Sequence, residues 1–222
     1  MRIQLKLSAN TETVPFNHLH QLTGVVHKWL GINEIHDKMS LYSFGWLRGG
    51  KAQPNGLDFA EGATWNISFF DEALYKLILK GILESPSVAF GMVVMEAREI
   101  EPRPFVKQHT FYTDGGAVLA RQKRADDTRE YLFWDSLAAN EVLTNLLRKK
   151  LALAGFTDEH LNARVAFDRA YPKPRTRKIA IKGTEHKGSE CPIIVEGTPE
   201  AIHFAWLVGV GELTGSGFGA LQ

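Results

Sequence analysis

Two histidines in this chain are placed to move protons. His27 falls in residues 15–30, where Leu19, Leu22, Val25, Val26, Trp29 and Leu30 recur at helical spacing. On that helix His20, Thr23, Gly24 and His27 share the face opposite the apolar stripe, which takes His27 out of the core. His36 follows beyond the break at Gly31, in Asn33-Glu34-Ile35-His36-Asp37-Lys38. Two imidazoles with a lysine close by are the ingredients of metal-free RNA strand cleavage. RNA carries its own nucleophile, the 2′-hydroxyl. A general base takes its proton as it attacks phosphorus, and a general acid protonates the departing 5′-oxygen. Histidine suits both tasks because its ordinary pKa, about 6.5, lies near working pH. A cation such as Lys38 would stabilise the extra charge on the pentacoordinate phosphorus. The products would be a 2′,3′-cyclic phosphate, or the 3′-phosphate from its opening, and a 5′-hydroxyl. The alternative for His36 is a plain turn residue, and for His27 a solvated helix face. His18 and His20 read as residues of the helix start. Although His18-x-His20 could chelate a metal, nothing near it completes a site. His109, His160, His186 and His203 read as structural or surface groups.

A second chemical feature closes the chain. Gly209-Val210-Gly211-Glu212-Leu213-Thr214-Gly215-Ser216-Gly217-Phe218-Gly219 lets backbone N–H groups approach a phosphate closely. The spacing is not that of a dinucleotide loop, and no G-K-[ST] follows, so a P-loop is excluded. A flexible terminal turn is the alternative. Charge is also uneven. The totals nearly cancel, with 26 basic and 25 acidic residues and a net charge of +1. Yet residues 164–187 are strongly basic, and Lys173-Pro174-Arg175-Thr176-Arg177-Lys178 projects four cations from a proline-stiffened stretch that continues to Lys182. Residues 98–124 form a weaker basic stretch, for which a solvated surface is the plainer reading. Arg148-Lys149-Lys150 reads as surface charge compatible with a helix C-terminus.

The elements that must carry these groups form a recognisable order. A strand at 3–8 precedes the first helix. Strands are expected near 40–46 and 64–70, then a helix capped by Asp71 with Gly81 as its weak point, then a strand over 88–100. That is βαββαβ, the ferredoxin-like pattern. The second half has strand material at 105–113, 117–121 and 131–134, and a strong helix from Asp135 or Ser136 to Gly155. Strands at 163–167, 179–182 and 193–195, a helix at 199–208 and a short final strand complete it. The fold class is α+β: two tandem ferredoxin-like (RRM-like) domains, 1–110 and 111–222, with a C-terminal glycine-rich loop.

Composition narrows the function classes. Hydrophobic residues make up 44%, ample for a core, which excludes general disorder. No apolar run approaches the roughly 20 residues of a membrane span. Met1-Arg2-Ile3-Gln4-Leu5-Lys6-Leu7 alternates, as a strand does and a signal peptide does not. The single cysteine, Cys191, excludes an internal disulfide framework and points to a reducing, cytoplasmic address.

The two units Gly209-Val210-Gly211 and Gly217-Phe218-Gly219, separated by residues 212–216, resemble the C-terminal signature of the CRISPR-associated endoribonucleases that process repeat RNA, members of the RAMP superfamily. The opening strand, Val14-Pro15-Phe16-Asn17 and the basic strand pair over 172–183 are also similar to that family. The resemblance implies two ferredoxin-like domains, a precursor repeat transcript as substrate and no cofactor. It implies that His36 is the principal catalytic histidine and that His27 occupies a helix position where relatives carry Tyr or His. Lys38 is the nearest candidate for the assisting lysine. Its spacing from His36 is shorter than the family's, and Ser40, Arg48 or Lys51 could take the role. The RNA contacts implied are Lys173, Arg175, Arg177, Lys178, Lys182, Gly209, Gly211, Gly215, Gly217 and Gly219. Tyr112, Tyr171, Phe111 and Phe218 are candidates for base stacking. Effector-complex subunits and a second copy of the chain are further candidate partners. A non-catalytic RNA-binding subunit of an effector complex is the rival reading, and a small-molecule nucleotide-binding protein ranks third.

Overall fold

A computed structural model describes residues 1–31 and 39–222. The first half runs β1 (Arg2–Leu7), α1 (Leu19–Leu30), β2 (Tyr42–Phe44), β3 (Lys51–Gln53), β4 (Gly56–Asp58), β5 (Ala63–Phe69), α2 (Glu72–Glu84) and β6 (Val94–Glu99). Its four-stranded sheet has the order β2-β5-β1-β6, with every pairing antiparallel. Setting aside the inserted β3–β4 hairpin, this is the ferredoxin-like arrangement. Strand alternation turns Ile3, Leu5 and Leu7 into the core and Arg2, Gln4 and Lys6 to the other face. Helix α1 presents the expected stripe, and all six of its apolar positions are buried. Asp71 caps α2 by accepting the Ala73 N–H at 2.7 Å.

The second half runs β7 (Gln108–Phe111), β8 (Ala120–Lys123), β9 (Arg129–Leu132), α3 (Leu137–Leu153), β10 (Arg164–Phe167), β11 (Arg175–Ile181), β12 (Thr184–Glu190), β13 (Ile193–Glu196) and α4 (Pro199–Val208). The sheet order is β10-β13-β7. The place of a fourth strand is held by the chain end, where Thr113 bridges Leu221 and the Gln222 N–H donates to Tyr112 O at 2.8 Å. The hairpins β8–β9 and β11–β12 are insertions into this second ferredoxin-like unit.

Several expected elements shift. The strand over 88–100 shortens to β6 because Phe90 and Gly91 both take positive φ, making a turn before Val94. Helix α1 starts at Leu19, not at Pro15, and His18 precedes it with Nδ1 3.0 Å from Pro15 O. The final strand is reduced to a bridge. Strand β12 is an addition to the strand expected at 179–182. The turn between them places Lys182 at φ 49 and Gly183 at φ 78, the primed geometry that fits the twist of a tight hairpin.

Two hydrophobic cores result. Trp65, Phe44, Phe69 and Leu22 lie in the first, and Leu143, Leu147, Phe204 and Ile193 in the second. No helix among the described residues is long and apolar enough to cross a membrane.

Candidate functional site

The glycine segment is a seam between the two cores. Helix α4 is capped by Thr198, opens on Pro199 and ends at Gly209. Beyond it, Val210 packs into the second core, whereas Phe218 packs into the first. The two G-h-G units therefore aim their apolar residues in opposite directions. Close approach explains the glycines around them. A Cβ on Gly219 would collide with the Val210 carbonyl, and one on Gly217, at φ +86, would meet Leu19 Cδ2 at 2.9 Å. The five glycines are buried, and the N–H groups of Gly209, Gly217 and Gly219 are spent on backbone carbonyls. A single 3₁₀ turn, Thr214–Ser216, remains on the open side, and Glu212, Leu213 and Ser216 are half-exposed there.

That turn touches the N-terminal unit where the chain enters β2. A Cβ on Gly215 would meet Ser40 Oγ at 2.6 Å, and Thr214 Oγ1 donates to Tyr42 O at 3.0 Å. Tyr42 is buried, which pushes its hydroxyl pKa up to about 12. On the other flank stands Lys150 of α3. Its neighbours Arg148 and Lys149 suggest a surface position, but it is 3% exposed. Its Nζ donates to Val208 O at 3.0 Å and to Thr214 Oγ1 at 2.9 Å. Burial draws its pKa down from 10.5 to about 7. A cavity of about 610 Å³ opens here, lined by Met39, Ser40, Arg129, Lys149, Lys150 and the stretch 211–214 among others.

His27 sits half-buried in the last turn of α1. His36 and Lys38 lie outside the described residues. On either side of them, Gly31 ends α1, donating its N–H to His27 O at 3.1 Å, and Met39 and Ser40 line the cavity. Of the alternatives for the third group, Ser40 is at this place. Arg48 is committed elsewhere, with Nε 3.1 Å from an Asp114 oxygen and its other nitrogen donating to Gln222. Lys51 is exposed on β3.

The basic strand pair is the hairpin β11–β12, with Arg175 opposite Glu190 and Lys178 opposite Lys187. Two of its cations are paired, Arg177 with Glu190 at 2.6 Å and Lys178 with Glu185 at 2.8 Å. Lys173, Arg175 and Lys182 are exposed and make no ion pair among the described residues. The hairpin leans on the first unit: Ile179 joins the first core, and the Ala180 N–H donates to Asn17 Oδ1 at 3.1 Å. His186 is buried there, its ring 5.8 Å from that of Phe218.

A second concave surface went unread in the sequence. Arg2, Gln4, Arg48, Phe105, His109 and Tyr112 line a cleft of about 540 Å³ between the two sheets. Arg2 is 4% exposed, with its guanidinium 3.7 Å above the Trp206 ring and donating to Ser68 Oγ and Trp206 O. Desolvation lowers its pKa to about 9. The signal was available: Arg2, Gln4 and Lys6 alternate with core residues on a central strand, so their face had to be covered or functional. Of the stacking candidates, Phe111 and Phe218 are core residues, whereas Tyr112 is exposed and meets the edge of Tyr171. No three His, Cys, Asp or Glu residues cluster to hold a metal ion among the described residues.

No curated protein matches the chain in sequence. Among solved structures, it superposes on a Cas6-related protein from Pyrococcus furiosus with a TM-score of 0.86 and 20% identity, covering 100% of this chain and 97% of that one. A RAMP protein described as binding different RNA substrates aligns with a TM-score of 0.84 and 19% identity, over 100% and 98% of the two chains. A Cas6 product complex aligns at 0.71 and 14%, over 100% and 99%. These likenesses establish the tandem ferredoxin-like fold. Residues 100–222, more than half of the chain and including the whole glycine seam, match the family model for the C-terminal part of CRISPR associated protein Cas6, and the chain belongs to that family.

Proposed function

We propose that this protein is an endoribonuclease that cuts the repeat portion of CRISPR transcripts, by attack of the 2′-hydroxyl, to release guide RNAs. One observation carries the reading. The glycine seam brings the β2 approach, Met39 and Ser40, against a cation-lined cavity, directly after the stretch that holds His36 and Lys38. Three peptide units separate His36 from Met39, a reach of at most about 11 Å. His36 and His27 would share the two proton transfers, with Lys38 or Ser40 beside the phosphorus. The RNA-binding and product-bound relatives named above support the substrate class.

The strand would be held by phosphate contacts along β11–β12, from Lys173, Arg175, Arg177, Lys178 and Lys182, and by the open side of the glycine turn. Of the glycines, Gly211 and Gly215 flank that open side. Single-stranded bases would enter the cleft beside Tyr112 and His109. The two units 1–110 and 111–222 remain part of this proposal; a join in residues 100–107 instead would keep β7 whole. A transcript substrate implies a cytoplasmic address. Effector subunits and a second copy remain proposed partners, tested by co-purification and by mass in solution.

The deciding experiment is incubation with labelled repeat RNA in EDTA. A single cut leaving a 5′-hydroxyl is expected, and a 2′-deoxy sugar at the scissile position should abolish it. Scission of that deoxy substrate would overturn the mechanism, and tight binding without any scission would favour the non-catalytic subunit. His36→Ala is expected to remove cleavage, by at least 10²-fold for one lost proton transfer, while leaving binding nearly intact.

A further inference from the structure

A buried ammonium needs a carboxylate or a full set of neutral acceptors. Lys150 has neither. Two of its three N–H donors go to Val208 O and Thr214 Oγ1, and the third has no acceptor among the described residues. Desolvation lowers its pKa, and no carboxylate is ion-paired with it among the described residues. Yet the residue, though buried, also borders an open cavity. The other charged groups lining the cavity among the described residues are Arg129, Lys149 and Glu212. Glu212 is already held by Arg121, with Nε at 3.1 Å, and lies 3.9 Å from Arg129. Among the described residues, two further cations and one neutralised carboxylate leave the cavity lining in excess of positive charge. Ser40 and Thr214 add hydroxyls at its wall. Such a set lacks one thing, a multivalent oxyanion.

We propose that this cavity is an oxyanion seat, with Lys150 as its buried charge, and that it takes one phosphate of the RNA backbone. The identity of the anion rests on the function proposed above; the seat itself does not. Lys150 is then a binding and positioning group. It ties α3 to the last carbonyl of α4 and to the 3₁₀ turn of the glycine seam, so the phosphate it attracts is registered against the turn that abuts Ser40. The charge costs folding free energy in the empty protein and is compensated when the anion arrives.

The test reads Lys150 directly. The pH titration of its side-chain NMR resonance is followed in the wild-type protein alone, with inorganic phosphate, and with a repeat RNA made uncleavable by a 2′-deoxy sugar. Both anions are expected to raise the midpoint by about one pH unit or more, as an opposite charge within a few ångströms does. Lys150→Met should weaken RNA binding about tenfold and reduce the log–log salt slope by about one, with Lys150→Arg in between. RNA binding and cleavage with an unmoved midpoint would remove the seat and leave the endonuclease reading intact. A midpoint moved by phosphate, in a protein that binds no RNA, would keep the seat and remove the endonuclease reading. Should Lys150→Met fail to fold, the wild-type titration still decides.

Discussion

At the scale of single residues, Lys150 makes stability rise with pH, the same direction as a paired carboxylate but in an alkaline window rather than an acidic one. Burial lowers its folded-state pKa from 10.5 to about 7. Between those values the unfolded chain holds the proton and the folded chain does not. Unfolding free energy therefore rises with pH across that window, and below about 7 the burial cost is felt in full. Lys150→Met removes the titration. Urea denaturation of both proteins should show the wild type gaining on the order of 2 kcal/mol relative to the variant between pH 7.5 and 9.5. A constant difference over that range would show that Lys150 is solvated. The sequence contained a signal for this burial. Lys150 falls three residues after Leu147 and seven after Leu143, on the stripe that packs against the second core, and only the neighbouring Arg148 and Lys149 made it look like surface.

Among the elements, the contact between α1 and α2 shows how a glycine's meaning depends on its neighbours. By propensity, Gly81 is the weak point of α2. In the structure a Cβ there would strike the Trp29 carbonyl, so Gly81 is where the two helices touch. Gly24 on α1 faces open space. Gly24→Ala should raise stability by roughly 0.5–1 kcal/mol, whereas Gly81→Ala should lower it by 1–3, at about the cost of overpacking a core. Thermal melts of the two variants check the contrast, and equal effects would contradict the packing. The same distinction marks what was legible in the sequence. Periodic segments were read well, because α1, α2, α3 and α4 are amphipathic or well capped and β1 and β13 lie in the sheets. The short hairpin β3–β4 was missed because three-residue strands carry no measurable period. The basic stretch was legible as charge but not as pairing, since Glu190 and Glu185 reach Arg177 and Lys178 only once β12 folds back. That pairing yields a prediction. Arg175→Ala should reduce the salt slope of RNA binding by about one, and Arg177→Ala by less, because Arg177 is partly spent on Glu190. Equal slopes for the two variants would mean that the ion pair opens on binding.

Across the whole molecule, the glycine seam makes one body of two sheets. Trp46 Nε1 donates to Gly217 O at 2.8 Å, Ser43 Oγ to Leu207 O at 2.8 Å, and Arg2 reaches Trp206 O. Asp114, 2% exposed, is held by Asn66 and Arg48 of the first unit. The sequence showed the motif but not this role, because the seam's hydrogen-bond partners lie up to 173 residues away along the chain. Phe218 is the test of it. It arises from the second half, is fully buried, and fills the core of the first. Phe218→Ala should cost about 3–5 kcal/mol, the usual price of emptying an aromatic site. The distribution of that loss matters more than its size. If the seam couples the cores, hydrogen exchange should quicken in β2 and the first turns of α1 as well as in α4, and the two cores should still unfold together. Faster exchange restricted to the last dozen residues would show the seam to be a tail lying on two independent domains. The cleavage geometry proposed here, which needs α1 and the glycine turn held in register, would then lose its mechanical basis.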